Sequence, residues 1–119
     1  METKINLGQV LVLEDEPFII LDLEETLREF GAASVVSCNT RTGALEWLAS
    51  NSPDVAIVDP RLTDGICDDV VERLAVANVP FIVYSGANVD EPAFANGRWL
   101  DKPAMPEVLR DALTELLSR

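Results

Sequence analysis

The sequence predicts an α/β fold, a doubly wound parallel sheet covered by helices on both faces, and three observations support this class. Strand and helix patterns alternate along the chain with short connections, which is typical of right-handed βαβ units. The strand patterns are nearly unbroken apolar runs, such as residues 10–13 and 55–58, as expected for strands buried on both faces. The chain has 119 residues, 48% of them hydrophobic, which suits one core. We therefore expect a three-layer αβα domain that spans residues 1–119.

The first half of the chain contains three strand patterns and two helix patterns. After the first apolar run, Pro17 suits the first turn of a helix whose apolar residues recur at helical spacing until Gly31. Residues 34–38 form a second strand pattern, and Thr40 is placed to cap a second helix. The third strand ends at Asp59.

The second half continues the alternation. A predicted loop over residues 60–65 leads to a helix over about residues 68–77, and Pro80 introduces a fourth strand. Residues 99–100 form a brief fifth strand, and Pro106 opens a last amphipathic helix.

Residues 86–97 depart from this pattern because they show no helical period. We expect the fourth crossover helix to be very short or absent there, and a plain surface loop is the alternative.

Charge and composition exclude several functions. The 21 acidic and 9 basic residues give a formal net charge of −12, which would repel nucleic-acid phosphates over most of the surface. The chain has no histidine, which excludes Ser-His-Asp and Cys-His catalysis, imidazole metal sites and a phosphohistidine carrier. Carboxylates, hydroxyls and lysine must therefore carry any proton or phosphate chemistry.

Cellular location is also constrained by the sequence. No apolar stretch approaches the ~20 residues that span a bilayer, and residues 1–6 lack the features of a signal peptide. We expect a cytoplasmic protein with no membrane partner. Because Cys38 and Cys67 have no metal-ligand spacing, we expect two free thiols.

Chemically active side chains stand where the predicted strands end. Glu14 and Asp15 follow the first strand, and Asp59 follows the third. Ser85 ends the fourth strand, and Lys102 follows the fifth. Because the carboxyl ends of parallel strands share one edge of the sheet, these groups would converge in one crevice.

Gathered carboxylates repel one another unless a cation is bound or a proton is retained. A magnesium ion prefers oxygen ligands and keeps several waters in its coordination shell. Asp15, Asp59 and the backbone carbonyl of Arg61 would therefore provide enough protein ligands. Glu14 is one carbon longer and would hold a coordinated water. The cluster therefore predicts a site for Mg²⁺ or Mn²⁺.

This arrangement favours phosphoryl chemistry, which depends mainly on positioning and charge neutralisation. Asp59 would be the nucleophile that forms an aspartyl phosphate. Ser85 would donate a hydrogen bond to one phosphoryl oxygen, and Lys102 would neutralise another. Taken singly, each motif also has an ordinary interpretation as a helix cap, a turn or a solvated loop residue. We favour the site because complementary groups occur at all of these strand ends.

Taken in order, these motifs resemble the receiver domain of bacterial response regulators over essentially the whole chain. The resemblance rests on Glu14-Asp15, on Asp59 with Leu62 and Gly65 behind it, on Ser85, and on Lys102-Pro103. It implies a flavodoxin-like five-stranded sheet in the order 2-1-3-4-5.

The resemblance also implies a function. Magnesium would bind at Glu14, Asp15 and Asp59, and a histidine kinase or histidine phosphotransfer protein would phosphorylate Asp59. Ser85 and an aromatic residue, by position Trp99, would form a conformational switch. The Lys102-Pro103 bond, commonly cis in receivers, is expected to be cis and to aim the lysine at Asp59. Such a protein is not an enzyme beyond its own phosphorylation and dephosphorylation.

Three features depart from the family pattern. Pro60 follows the phosphoacceptor directly, and Thr63 replaces the usual proline of the next loop. The segment from Ser85 to Lys102 is several residues shorter than is typical, which removes most of the fourth helix. Because that helix is part of the usual output surface, output through it does not follow from the resemblance.

The first helix is a candidate docking surface. Residues 18–21 (FIIL) are four consecutive apolar residues, and one helical turn cannot bury all of them. Phe18, Ile19 and Leu21 would suit a helical phosphodonor, although they could instead pack under neighbouring loops. Because the chain ends with the last helix, we expect no output domain, and output by binding a downstream protein or by onward phosphotransfer.

Two other functions remain open. The chain could be a degenerate receiver that only binds proteins, or, more remotely, a small phosphatase with Asp59 as nucleophile. Retention of every acidic, hydroxyl and lysine group favours the phosphoacceptor over the degenerate receiver. A phosphatase would need a second catalytic acid and a substrate-covering cap, which no spare segment supplies.

Overall fold

The computed structural model describes residues 5–118 and contains a five-stranded parallel sheet. Its strands are β1 (Gly8–Leu13), β2 (Ala32–Cys38), β3 (Val55–Val58), β4 (Phe81–Ser85) and β5 (Arg98–Asp101). They lie in the order β2-β1-β3-β4-β5. This confirms the predicted fold class and strand order. Residues 1–4, part of the segment used to argue against a signal peptide, and residue 119 lie outside the described residues.

Within residues 5–118, four α-helices cover the two faces of the sheet. They are α1 (Pro17–Phe30), α2 (Arg41–Leu48), α3 (Asp68–Val76) and α4 (Pro106–Leu117). One buried cluster joins β1, β3 and β4 to α1 and α4, with Leu27 and Leu113 fully buried. A second cluster on the opposite face joins the sheet to α2 and α3 through residues such as Leu74. The chain therefore has the three-layer αβα arrangement that the apolar strands predict.

Local capping explains where the first two helices begin and end. The side chain of Glu16 accepts the N–H of Phe18, and the side chain of Thr40 accepts the N–H of Gly43. Gly31 ends α1 in the left-handed region at φ 114°, a conformation that favours glycine. The predicted boundaries at Pro17, Gly31 and Thr40 are confirmed.

The segment after β3 differs from the predicted plain loop. Arg61–Leu62 and Gly65–Ile66 pair antiparallel, so residues 61–66 form a small hairpin. Leu62 is buried against the α2 and α3 face of the core, which anchors the hairpin. Gly65 has φ 120°, which its lack of a Cβ permits.

The segment between β4 and β5 contains one short helical turn in place of a crossover helix. A 3₁₀ helix spans Pro92–Asn96, and the N–H of Gly97 closes it on the carbonyl of Phe94. Phe94 is buried against the same core face as α3. The crossover helix within residues 86–97 is therefore very short rather than absent, because it is limited to residues 92–96.

Gly97 lets β5 pack tightly against β4, and we expect Gly97→Ala to destabilise the fold. A Cβ at this position would overlap the buried Phe81 ring, 2.6 Å from its Cδ2, and would lie 3.0 Å from Cγ2 of Val83. Overpacking of this kind costs about 1–3 kcal/mol in the free energy of unfolding. Urea unfolding followed by circular dichroism measures the loss.

Gly86→Ala is the matched control for this prediction. A Cβ on Gly86 would come no closer than 3.9 Å to the Cβ of Lys102, an ordinary contact. We expect its effect to stay within about 0.5 kcal/mol. Equal losses in the two variants would contradict the steric explanation.

Both cysteines are free, as predicted, with Cys38 partly buried and Cys67 fully buried. Within residues 5–118, no helix is both long enough and apolar enough to span a bilayer.

Candidate functional site

Carboxyl-terminal strand ends bring the predicted site residues to one edge of the sheet. Lys102, directly after β5, places its Nζ 2.6 Å from Oε1 of Glu14 and 2.8 Å from Oδ2 of Asp59. Glu14 follows β1 and Asp59 follows β3, so one ammonium bridges the ends of three strands. The predicted convergence of these three residues is therefore observed.

Glu14 is a buried carboxylate, only 1% exposed. Its Oε2 accepts the backbone N–H groups of Asp15 and Glu16, each at 3.1 Å. Its Oε1 faces the ammonium of Lys102. A buried carboxylate needs such compensation, because unpaired burial of a charge costs several kcal/mol. Both oxygens of Glu14 thus have partners within the protein.

Three carboxylates are close enough to share one cation. Glu14, Asp15 and Asp59 each offer an oxygen, and these oxygens lie within 4.8 Å of one another. Asp15 and Asp59 are partly buried, so the cluster opens to solvent on their side. One lysine against three carboxylates leaves an excess of negative charge. Among the described residues, this group could bind a metal ion.

Asp59 is held by contacts to both carboxylate oxygens. Its Oδ2 binds Lys102, and its Oδ1 accepts the N–H of Arg61 at 3.0 Å. The side chain remains 14% exposed, which leaves it accessible from the crevice. The bond from the N–H of Arg61, two residues on, closes an Asx-type turn that orients the carboxylate.

Lys102 is fixed by its backbone as well as by its ion pairs. Its N–H donates to the carbonyl of Ser85 at 2.9 Å, and the expected cis Lys102-Pro103 bond is observed. Burial lowers the pKa of Lys102, but its hydrogen bonds to Asp59 and Glu14 and the charges of those carboxylates outweigh burial. The pKa of Lys102 is therefore raised, and the ammonium stays charged.

The predicted switch residues, Ser85 and Trp99, each form hydrogen bonds with a residue two positions further along the chain. The Oγ of buried Ser85 donates to the carbonyl of Ala87 at 2.7 Å and accepts its N–H at 3.1 Å. Trp99 packs against the core face that carries α2 and α3, and its Nε1 donates to Oδ1 of Asp101. Their switch role stays a prediction.

The predicted docking residues are exposed to different degrees. Phe18 is 80% exposed and Leu21 is 62% exposed, while Ile19 packs against the core. A groove of about 350 Å³ lies beside them. Its lining consists of Phe18, Ile19, Asp22, Leu23, Tyr84, Lys102, Pro103 and Ala104. Apolar surface therefore continues from α1 to the site lysine, and the docking role stays a prediction.

The sequence interpretation missed two residues, Tyr84 beside the site lysine and Asp64 at the tip of the hairpin. The hydroxyl of Tyr84 accepts the N–H of Ala104 at 3.0 Å, and its ring centroid lies 5.6 Å from Nζ of Lys102. Asp64 at the hairpin tip accepts the N–H groups of Arg41 and Thr42 at the start of α2. Tyr84 resembled an ordinary core aromatic in the sequence, although its place before Ser85 was a usable signal.

Asp64 should contribute stability that depends on pH. The hydrogen bond from the N–H of Arg41, followed by that from Thr42, lowers the pKa of Asp64 below its ordinary value of 3.8. Its contribution is therefore present above that ordinary value and lost as the pH falls through the folded pKa. We expect Asp64→Ala to lower the urea midpoint at pH 7 and to differ less from the unsubstituted protein at acidic pH.

A matched variant tests this pH dependence. Asp90→Ala removes an exposed carboxylate from the loop after β4 and should leave the midpoint unchanged at both pH values. A difference between Asp64→Ala and the unsubstituted protein that grows towards acidic pH would contradict the assignment.

Cys67 lies next to the phosphoacceptor candidate. Its thiol donates to the backbone carbonyl of Asp59 at 3.3 Å. Burial, with a smaller contribution from the charge of Asp59, raises the pKa of the Cys67 thiol to about 12. The sulfur is therefore a neutral hydrogen-bond donor at physiological pH.

No protein-family model matches the chain. Comparison with solved structures, in contrast, finds proteins of the same fold. The solution structure of SdrG from Sphingomonas melonis Fr1 is 32% identical, with a TM-score of 0.82 and coverage of 95% of this chain and 98% of that one. The receiver domain of the Erythrobacter litoralis PhyR response regulator is 28% identical, with a TM-score of 0.75 and coverage of 92% and 89%.

Sequence comparison finds a related regulator. The Phyllosphere-induced regulator PhyR of Methylorubrum extorquens is 30% identical over 92% of this chain. The chain spans only 43% of the length of that relative. With the sheet order and the strand-end site, these similarities define the class: the chain belongs to the response-regulator receiver domains.

Proposed function

We propose that this receiver domain accepts a phosphoryl group on Asp59 in the presence of a divalent cation. The observation that carries the proposal is the bridge from Lys102 to Asp59 and Glu14, at 2.8 and 2.6 Å, at the edge of the sheet. It places a nucleophilic carboxylate, a fixed cation and further acids in one crevice, which is the set that phosphoryl transfer needs.

The donor set suits Mg²⁺ or Mn²⁺. Carboxylate oxygens are hard ligands, and those of Glu14, Asp15 and Asp59 lie within 4.8 Å of one another while Lys102 supplies a single positive charge. We propose that these three residues and the backbone carbonyl of Arg61 hold the ion, Glu14 through water. When bound, the ion would neutralise negative charge on the phosphoryl group.

The remaining steps fall to side chains of this chain. A carboxylate oxygen of Asp59 forms a bond to phosphorus while the phosphorus–nitrogen bond of a phosphohistidine breaks, and the departing imidazole takes up a proton from water. Lys102 stays charged and contacts a phosphoryl oxygen. Ser85 would turn its hydroxyl from Ala87 to another phosphoryl oxygen, and Trp99 would respond to that movement.

Partner binding would use the groove beside the site. Exposed Phe18 is part of its lining, exposed Leu21 lies on the same helix, and the groove reaches Lys102. We propose that a helix of a histidine kinase or histidine phosphotransfer protein docks there and brings its phosphohistidine to Asp59. The PhyR relatives are regulators, and we propose that this chain likewise signals through a protein partner or by onward phosphotransfer.

Incubation with acetyl phosphate tests the function. With magnesium present, intact mass should show one added phosphoryl group, and peptide mapping should place it on Asp59. Chelation of the metal should prevent the addition. If neither acetyl phosphate nor a phosphohistidine donor labels the folded protein in magnesium, the chain is instead a binding module that works without phosphorylation.

A further inference from the structure

Tyr84 occupies the junction between the core and the site lysine. It is the residue before Ser85 in β4 and is only 8% exposed. Its side chain belongs to the cluster that packs under α1 and α4, and it also lines the groove beside Lys102. A buried tyrosine normally directs its hydroxyl to a hydrogen-bond partner, so the identity of that partner is informative.

The two contacts of Tyr84 lie on either side of Pro103. On one side, the hydroxyl accepts the N–H of Ala104 at 3.0 Å. On the other side, the ring faces the ammonium of Lys102 at 5.6 Å from its centroid, within the range of a cation–π contact. The N–H of Lys102 is held by the carbonyl of Ser85, so β4 fixes this turn at three points.

This support matters because a lysine side chain is long and flexible. The ammonium must stay 2.6 Å from Glu14 and 2.8 Å from Asp59 to serve both carboxylates. Fixing the four-carbon side chain of Lys102 in one position costs conformational entropy, and this cost opposes the placement unless neighbouring groups support it. The ring of Tyr84 beside the ammonium and the turn held at Ala104 reduce the number of conformations open to the Lys102 side chain.

We propose that Tyr84 is a positioning residue that holds the ammonium of Lys102 over Asp59. The inference rests on the proposed function of Lys102 at a phosphoryl group on Asp59. Tyr84 itself touches no reacting atom. A phenylalanine would keep the ring and the core packing but lose the hydrogen bond to Ala104. A leucine would lose both the ring and the hydrogen bond.

Trace labelling of amines with acetic anhydride tests the placement without any phosphoryl donor. The chain has two lysines, so Lys4 provides the internal reference for the labelling of Lys102. We expect Tyr84→Phe to raise the relative labelling of Lys102 by roughly fivefold, the equivalent of one neutral hydrogen bond, and Tyr84→Leu to raise it further. Peptide mass spectrometry gives the ratio.

Ile82→Val is the matched control. Ile82 lies two residues earlier on the same face of β4 and belongs to the same buried cluster, but its aliphatic side chain has no hydroxyl to bind Ala104 and no aromatic ring to face Lys102. This variant should lose stability without changing the labelling of Lys102. Equal labelling of Lys102 in Tyr84→Phe and the unsubstituted protein would overturn the proposal, as would an equal rise in Ile82→Val.

Phosphorylation rates give the functional result. With acetyl phosphate and magnesium, Tyr84→Phe should be phosphorylated roughly fivefold more slowly, while Ile82→Val should keep the rate of the unsubstituted protein. An unchanged rate for Tyr84→Phe would show that Tyr84 does not position Lys102 for this chemistry. If neither acetyl phosphate nor a phosphohistidine donor phosphorylates the unsubstituted protein, the proposed function fails, and the amine labelling still decides whether Tyr84 fixes the lysine.

Discussion

Asp59→Asn is expected to abolish phosphorylation by acetyl phosphate. The amide lacks the anionic oxygen that must bond to phosphorus, and it removes one of the three carboxylates of the cluster. The fold should survive, because an amide oxygen still accepts the N–H of Arg61 at the Oδ1 position. Intact mass should therefore show no added phosphoryl group in a protein whose circular dichroism is unchanged.

Asp90→Asn is the control for this result. Asp90 is an exposed carboxylate in the loop after β4, outside the cluster, so its substitution should leave labelling at Asp59 complete. Unchanged labelling of Asp59→Asn would remove Asp59 from the mechanism. Labelling that moves to Asp15 would show that the cluster reacts but that the nucleophile is misassigned.

Lys102→Met should destabilise the protein strongly when magnesium is absent. The side chains of Lys102 and Glu14 are 15% and 2% exposed, so removal of the ammonium leaves a buried carboxylate unpaired beside two more. Breaking a buried ion pair from one side costs 3–5 kcal/mol, and we expect roughly 3 kcal/mol because the site is partly open. Urea unfolding in chelator measures the loss.

Neutralisation of the partner should reverse part of that loss. Adding Glu14→Gln to Lys102→Met removes the unpaired buried charge, so the double variant should be more stable than Lys102→Met alone. Magnesium should also stabilise Lys102→Met, by about 2.7 kcal/mol at a hundredfold excess over its dissociation constant. If Lys102→Met is as stable as the unsubstituted protein in chelator, the ion pairs of Lys102 with Glu14 and Asp59 do not contribute to the free energy of unfolding.

The elements that the sequence predicted well are those with local signals. In α1, Leu23, Leu27 and Phe30 recur at helical spacing and are all buried, and Gly31 ends the helix. The convergence of Glu14, Asp59 and Lys102 was predictable because the end of a buried strand is visible in the sequence and parallel strands share an edge. Their distances were not predictable, because Glu14 and Lys102 meet only through the complete sheet.

The elements that the sequence left open depend on tertiary contacts. The hairpin at residues 61–66 forms around buried Leu62, and the short turn at residues 92–96 forms around buried Phe94. Both segments are too short to show the hydrophobic periodicity from which secondary structure is predicted. The tyrosine beside Ser85 was overlooked for a related reason, since a hydroxyl partner across a turn leaves no pattern in the chain.

The state of the Cys67 sulfur has a consequence for oxidant sensing. Peroxide and disulfide reagents attack thiolates, and a thiol with a pKa of about 12 supplies almost none at neutral pH. The sulfur is also fully buried while it donates to the carbonyl of Asp59. Cys67 thus lies against the proposed phosphoacceptor, Asp59, in a buried and neutral state that disfavours its own oxidation.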